Sequence, residues 1–245
     1  MPHILIDHNI APSCLKALEE KTGQRILLAE GELGTQRELP ESQLKDAVAL
    51  LGTHLPLNHE QMTSLQWVQL TSAGFAQAEG LGLSQRNVKV TTASGVNDIP
   101  IAEWSIMMML ALTRRLPEMF QNQTQELWDR SARFQTEMRG KTLGIWGFGG
   151  IARETARLAT AMGLNVHILT RTGQIDDKPR FQSNPQNDRP EDLPQKVFAA
   201  KDSVQFCQSL DFLMLAIPDT ADNLGLIDEV IFELALNLGQ VAAIV

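Results

Sequence analysis

Short apolar runs alternate with amphipathic stretches through the first hundred residues. His3-Ile4-Leu5-Ile6 reads as a strand, and residues 12–21 read as a helix with Leu15, Leu18 and Glu19 at helical spacing, stopped by Gly23. Further strands are expected at Ile26-Leu27-Leu28, Val48-Ala49-Leu50-Leu51, Trp67-Val68-Gln69-Leu70 and Val88-Lys89-Val90. Apolar runs separated by helical or turn segments predict a parallel sheet covered on both faces. Over 101–130 the pattern changes to one long helix, with Pro100 where a first-turn proline is tolerated and Glu103 near the positive end of the dipole. Met107, Met108 and Met109 make its start apolar nearly all round, so that part is expected to be buried, with the methionines as packing. Its distal part, 121–130, is polar and suits solvent or a subunit contact.

Gly140 opens a second series: strand 142–146, a glycine turn, helix 151–162 and strand 166–169. A polar, proline-spotted stretch over 173–194 reads as loop; helix 203–209, strand 212–217, helix 228–236 and strand 241–245 follow. The change of pattern divides the chain into two expected domains, 1–98 and 99–245, and both are α/β. No internal repeat interrupts them.

Composition narrows the function classes. A chain of 245 residues, 43% hydrophobic and 20% charged, can bury one large core or two modest ones. A net charge of -8 opposes non-specific nucleic-acid binding, yet leaves room for a small anionic ligand in a locally basic pocket. Cys14 and Cys207 are far apart and offer neither a metal-ligand nor a redox spacing, so no metal site is expected. The most apolar stretch, 106–112, is far short of the roughly 20 residues a bilayer requires and is closed by Arg114 and Arg115. Residues 1–10 lack a basic segment followed by a long apolar run. A cytoplasmic protein with no membrane partner is the expectation.

The chemistry-bearing motif is Gly147-Phe148-Gly149-Gly150-Ile151-Ala152, a G-x-G-x-x-A turn between an expected strand and an expected helix. Gly147 permits the tight turn, Gly149 lets backbone approach a pyrophosphate, and Ala152 keeps helix and strand close. The helix N-terminus offers free N–H groups to the anion. Strand, turn, helix and next strand agree in spacing, which raises the motif above a chance glycine loop. An NAD site carries a carboxylate roughly 20 residues beyond the glycines; this chain has Thr170-Arg171-Thr172 there. A hydroxyl and a guanidinium suit a 2′-phosphate, so NADP is the expected cofactor, with NAD possible.

Taken together the segments resemble the D-isomer-specific 2-hydroxyacid dehydrogenase family, over nearly the whole chain and most closely over 65–173. Residues 65–74, ending Thr71-Ser72-Ala73-Gly74, resemble the strand and loop that hold the substrate carboxylate; Ser94-Gly95-Val96-Asn97 with Pro100-Ile101-Ala102-Glu103-Trp104 resembles the crossing between domains. Met138-Arg139-Gly140-Lys141-Thr142-Leu143-Gly144 matches the cofactor entry, and Ala216-Ile217-Pro218-Asp219-Thr220 the turn under the nicotinamide ribose. The resemblance implies a flavodoxin-like substrate domain and a Rossmann-type doubly wound parallel sheet. It also implies hydride transfer between a nicotinamide and a small 2-hydroxy or 2-oxo acid such as glyoxylate or hydroxypyruvate. By it, Ser72 and the N–H groups of Ala73 and Gly74 meet the substrate, Ile101 packs near the nicotinamide, and the long helix serves a homodimer of the full-length protein. Ala76 departs from the pattern, since many relatives carry an aspartate after the loop.

The family's catalytic arginine follows the strand that here reads Val241-Ala242-Ala243-Ile244-Val245, and its glutamate and histidine lie further on. None of His3, His8, His54, His59 or His167 sits in a matching context, so no catalytic residue is assigned. The last run would be the fifth strand of the Rossmann order 3-2-1-4-5-6. The expectation is therefore a C-terminally truncated chain, short of its last strands and of the helix that returns to the first domain. The competing expectation is a non-catalytic module that keeps dinucleotide binding and dimer contacts.

Overall fold

Two parallel sheets organise the computed structural model, which describes residues 1–131, 135–176, 181–182 and 194–237. The chain divides into two compact units, Met1–Ser94 and Gly95–Val245.

The first unit holds β1 (His3–Asp7), α1 (Pro12–Thr22), β2 (Arg25–Leu28), α2 (Glu41–Leu44), β3 (Ala47–Gly52), β4 (Trp67–Leu70) and β5 (Lys89–Thr91). The sheet runs β2-β1-β3-β4-β5, all parallel, which is the flavodoxin-like order. Pairing lines up Leu27, Leu5, Leu50, Val68 and Val90 across five strands. Leu5, Leu50 and Val68 are buried at the centre of this row, while all three residues of β5 are exposed at the edge. The expected helix over 12–21 forms and ends at Gly23, whose φ of 62° supplies the left-handed cap.

The second unit opens with α3 (Asp98–Thr113) and α4 (Leu116–Thr124). The single helix expected over 101–130 is thus two. Pro117 has no N–H to give the carbonyl of Thr113, and its ring would crowd that carbonyl. The freed oxygen accepts instead from the Thr136 N–H, at 2.9 Å. Arg115 turns the chain with a φ of 48°. Nor is the methionine run uniformly buried: Met109 is 1% exposed and Met107 51%.

Next come β6 (Thr142–Trp146), α5 (Gly150–Ala161), β7 (Asn165–Thr170), β8 (Lys196–Ala199), α6 (Ser203–Gln208), β9 (Phe212–Leu215) and α7 (Glu229–Asn237). The sheet order is β8-β7-β6-β9, the 3-2-1-4 start of a Rossmann sheet. β8 was not expected from the sequence, and the run 241–245, expected as a strand, lies outside the described residues. Alternation along β6 sorts its neighbours. Leu143 and Ile145 pack with Ile106 and Met109 of α3 and with Ala152, Ala156 and Ala159 of α5. Trp146, on the other face, joins Phe206, Cys207 and Leu210 on the α6 side. Gly144 points that way too, and a Cβ there would strike the Leu210 side chain, so the glycine lets α6 lie close. Crossovers on both faces give three layers, helix on sheet on helix.

Candidate functional site

In the second unit the site begins where β6 ends. The Gly147 N–H donates to the Leu169 carbonyl of β7 at 2.8 Å, and the Ala216 N–H donates to the Trp146 carbonyl at 2.8 Å. The glycine turn is therefore fastened to both neighbouring strands, at the point where the sheet order reverses. Gly147 has a φ of 97°, and a Cβ on it would meet the Ala216 carbonyl oxygen and, at 3.2 Å, Cγ2 of Ile217. Two segments that the sequence analysis marked for cofactor binding, Gly147 and Ala216-Ile217, are thus in contact. Pro218 follows them, exposed, and its carbonyl accepts from the Asn223 side-chain amide at 2.8 Å.

Gly149 is the N-cap of α5, in extended backbone, and no side chain caps the helix. Among the described residues no acceptor takes the N–H groups of Gly150, Ile151 and Ala152, and a Cβ on Gly149 would meet open space. That combination is what an anion requires: unsatisfied donors, the positive end of a twelve-residue helix, and open space at Gly149. A dinucleotide pyrophosphate fits this cradle. Ala152 is fully buried against β6, as expected of the third small residue of the motif.

At the far end of β7, Thr170 Oγ1 donates to the Gln174 carbonyl at 3.0 Å, closing a turn that Arg171 and Thr172 occupy. Thr172 bridges to Ala199 of β8. Arg171 is exposed and forms no ion pair among the described residues. Ile101, half-buried, lies one turn into α3.

Two neighbours of the glycine turn, Asp98 and Arg153, and the role of Phe148 within it were not marked from the sequence. Asp98, 8% exposed, brings its carboxylate against Gly150, where a Cβ would collide with Oδ2. Arg153, 3% exposed, stacks its guanidinium 4.4 Å from the centre of the Phe148 ring and donates from Nη2 to the Asp176 carbonyl. Only Arg153 carried a sequence signal, a lone cation one turn past the glycines. Asp98 and Phe148 carried none.

The loop expected to bind a carboxylate belongs to the first unit. Ser72 Oγ donates to the Gly74 carbonyl at 2.9 Å; the Gln77 amide nitrogen donates to Ser72 Oγ at 2.5 Å and to the Thr53 carbonyl at 3.0 Å. The Ala93 N–H holds the Ser72 carbonyl at 2.8 Å. Ser72 therefore pins the loop, while the N–H groups of Ala73 and Gly74 meet no acceptor among the described residues. Fixed, unsatisfied amides of this kind can bind a carboxylate. At the same carboxyl edge, Asp7 closes β1 and is held by Arg37 at 3.1 Å and by the Gly34 N–H at 3.1 Å.

The histidines divide by place. His3 is buried at the start of β1, with Nε2 2.9 Å from the Gln43 carbonyl. His167 is buried in β7 beside Ser209, Nδ1 to Oγ 3.0 Å, where burial and then the positive Lys196 hold its imidazole below the usual histidine range. His8 and His54 follow the ends of β1 and β3, and His59 lies in a short turn. No cluster of three or more metal-ligating side chains occurs among the described residues, and no helix there is long and apolar enough to cross a membrane.

Comparison with known proteins supplies the family. Residues 106–238, more than half of the chain, match the NAD binding domain of the D-isomer specific 2-hydroxyacid dehydrogenases. A D-3-phosphoglycerate dehydrogenase of Bacillus subtilis is 34% identical over 109 residues, 44% of this chain and 21% of the relative. That of Methanocaldococcus jannaschii is 29% identical over 170 residues, 68% of this chain and 32% of the relative. The chain thus spans about a fifth to a third of the length of these curated relatives. Among solved structures, an NADPH-dependent glyoxylate/hydroxypyruvate reductase from Sinorhizobium meliloti, in complex with NADP and malonate, matches with a TM-score of 0.67 at 22% identity, over 95% of this chain and 67% of the other. A D-lactate dehydrogenase from Aquifex aeolicus, complexed with NAD and lactic acid, matches at 0.71 and 19%, over 95% and 66%. At these identities the structures speak for the fold, and the family match covers the unit that carries the glycine turn. The chain belongs to the D-isomer-specific 2-hydroxyacid dehydrogenase family.

Proposed function

We propose that this chain binds a nicotinamide dinucleotide, NADP in preference to NAD, and a small 2-oxo or 2-hydroxy acid such as glyoxylate or hydroxypyruvate, for hydride transfer between them. The observation that carries the reading is the uncapped start of α5 at Gly149, on the same carboxyl edge of the sheet as the Arg171 turn. The dinucleotide supplies the hydride carrier. The chain's residues bind and orient it. N–H groups of Gly150, Ile151 and Ala152 meet the pyrophosphate, and Gly147 with Ala216, Ile217 and Pro218 keeps side chains out of the approach to the ribose. Thr170, Arg171 and Thr172 take the adenosine end, where the exposed guanidinium can pair two of its donors with a 2′-phosphate. Ile101 packs near the nicotinamide.

In this reading Met1–Ser94 is the substrate unit and Gly95–Val245 the dinucleotide unit. Ala73 and Gly74 present their amides to the substrate carboxylate while Ser72 keeps the loop in place. Exposed Trp104, Met107, Met119 and Phe120 give α3 and α4 an apolar face that suits a second copy of the chain. A cytoplasmic location goes with this reading, Cys14 and Cys207 both being free thiols.

A fluorescence titration with NADPH and NADH, followed by glyoxylate, tests the proposal. Binding that favours NADPH is the expected result, and oxidation on adding glyoxylate would show that a proton donor for the reaction lies among these residues. NADPH binding without oxidation leaves the dinucleotide reading standing and is compatible with a dinucleotide-binding, dimer-forming module. Absence of binding by either nucleotide overturns both.

A further inference from the structure

We propose that Arg153 is a positioning residue that braces the loop after β7 against the glycine turn, and so sets how strongly a phosphorylated adenosine ribose is preferred over a plain one.

Arg153 is the fourth residue of α5, and its side chain runs almost wholly inside the protein. A buried guanidinium is costly unless its charge and its donors are met. Two contacts go some way to meeting them, one to its face and one to its edge. Its face lies 4.4 Å from the centre of the Phe148 ring, which belongs to the glycine turn, and the ring's negative face attracts a cation. Its edge donates from Nη2 to the carbonyl of Asp176. One planar group therefore touches the pyrophosphate end of the site and the loop of the adenosine end.

The loop is held at three places. Thr170 Oγ1 closes its start on Gln174, Thr172 bridges to Ala199, and Arg153 takes the carbonyl of Asp176. Gly173, with a φ of 75°, lies 3.2 Å from Cβ of Ala199 at its would-be Cβ, so the middle of the turn is seated on β8 as well. Arg171 stands within this fastened segment and points no ion pair at the rest of the described protein. A long side chain presented from a fixed turn loses less freedom on binding than one on a loose loop, and affinity rises accordingly. Lysine could supply the charge of Arg153, but neither the flat face for Phe148 nor the rigid fork for a carbonyl.

The proposal rests on the dinucleotide reading for its ligand and on the cofactor-free structure for the brace, and the two are tested separately. Arg153→Gln and Arg153→Lys are compared with the parent chain by NADPH and NADH titration, and by trypsin cleavage after Arg171 without nucleotide. Cleavage after Lys21 in α1 serves as the internal reference. Both variants are expected to cleave faster after Arg171 relative to Lys21. Their NADPH-to-NADH affinity ratio is expected to fall about tenfold, the scale of one hydrogen bond to a charged group, with most of the loss on NADPH. If Arg153→Gln fails to fold, Phe148→Leu removes the stacking face and should show the same faster cleavage. Unchanged relative cleavage overturns the brace. Equal loss of both nucleotides overturns the role in preference. A parent chain without NADPH preference overturns the cofactor reading, and with it the preference half of this proposal, while the cleavage result still decides the brace.

Discussion

The carbonyl oxygen of Ala216 occupies the space that a Cβ on Gly147 would need, so the end of β6 and the segment after β9 touch backbone to backbone. The positive φ of 97° adds strain for any L side chain. Gly147→Ala is expected to cost about 1–3 kcal/mol of stability and to abolish nucleotide binding, as read by urea unfolding and NADPH titration. Binding at the parent level would show that this close approach does not shape the site.

Gly150 and Asp98 form a second such pair. Gly150→Ala should destabilise, because the new methyl group collides with the Asp98 carboxylate, and Asp98→Ala should remove the collision. The double variant is then expected to be more stable than the sum of the single losses predicts, by about 0.5–3 kcal/mol. Additive urea midpoints would place the effect of Gly150→Ala elsewhere in α5.

Arg171→Ala tests the cofactor preference without touching the glycine turn. It is expected to weaken NADPH roughly ten- to a hundredfold, the range of a charge-assisted hydrogen bond, and to leave NADH nearly unchanged. Parallel titrations check it, and equal effects on the two nucleotides would remove Arg171 from the 2′-phosphate.

Much of this architecture was legible in the chain. Leu5, Leu50, Val68, Ile145 and Ile168 sit in apolar runs whose period and length predict buried parallel strands, and all five are buried in such strands. The glycine turn was legible because backbone geometry demands glycine at Gly147 whatever surrounds it. β8 was missed because Lys196-Val197-Phe198-Ala199 is a four-residue run directly after a polar, proline-spotted stretch, and it is a strand through its pairing with β7. The break after Thr113 was available in Pro117 but was masked by the apolar run on one side and the helix-forming sequence on the other. Asp98 and Arg153 escaped notice for a different reason: Asp98 and Gly150 are 52 positions apart, and Arg153 meets Asp176 across a whole strand. Local pattern carries no trace of such meetings.

Buried Asp7 and half-buried Arg37 pair at the carboxyl end of β1, with side chains 5% and 20% exposed. Removing one partner leaves the other's charge in the interior, so Asp7→Ala is expected to cost about 3–5 kcal/mol. Arg37→Met should cost a similar amount, and the double variant less than the sum of the two. Urea unfolding of the four proteins measures the cycle.

His167 makes stability depend on pH. Its imidazole titrates below the usual histidine value in the folded chain, through burial first and Lys196 second. The unfolded chain therefore takes up a proton on this residue before the folded chain does. The stabilising contribution is complete above the ordinary histidine pKa of about 6.5 and is lost as pH falls from there through the lowered folded value. Urea midpoints at pH 7.5 and 5.5 should differ less in His167→Asn than in the parent. An identical difference would assign the acid sensitivity to other groups.

The order β8-β7-β6-β9 has one more consequence. From β6 the chain leaves first toward one side of the sheet and later comes back to the other, and above the carboxyl end of β6 the two routes part. The opening there follows from the wiring, and small residues such as Gly149 keep side chains out of it. A framework of this order can thus serve different ligands by replacing what lines the opening.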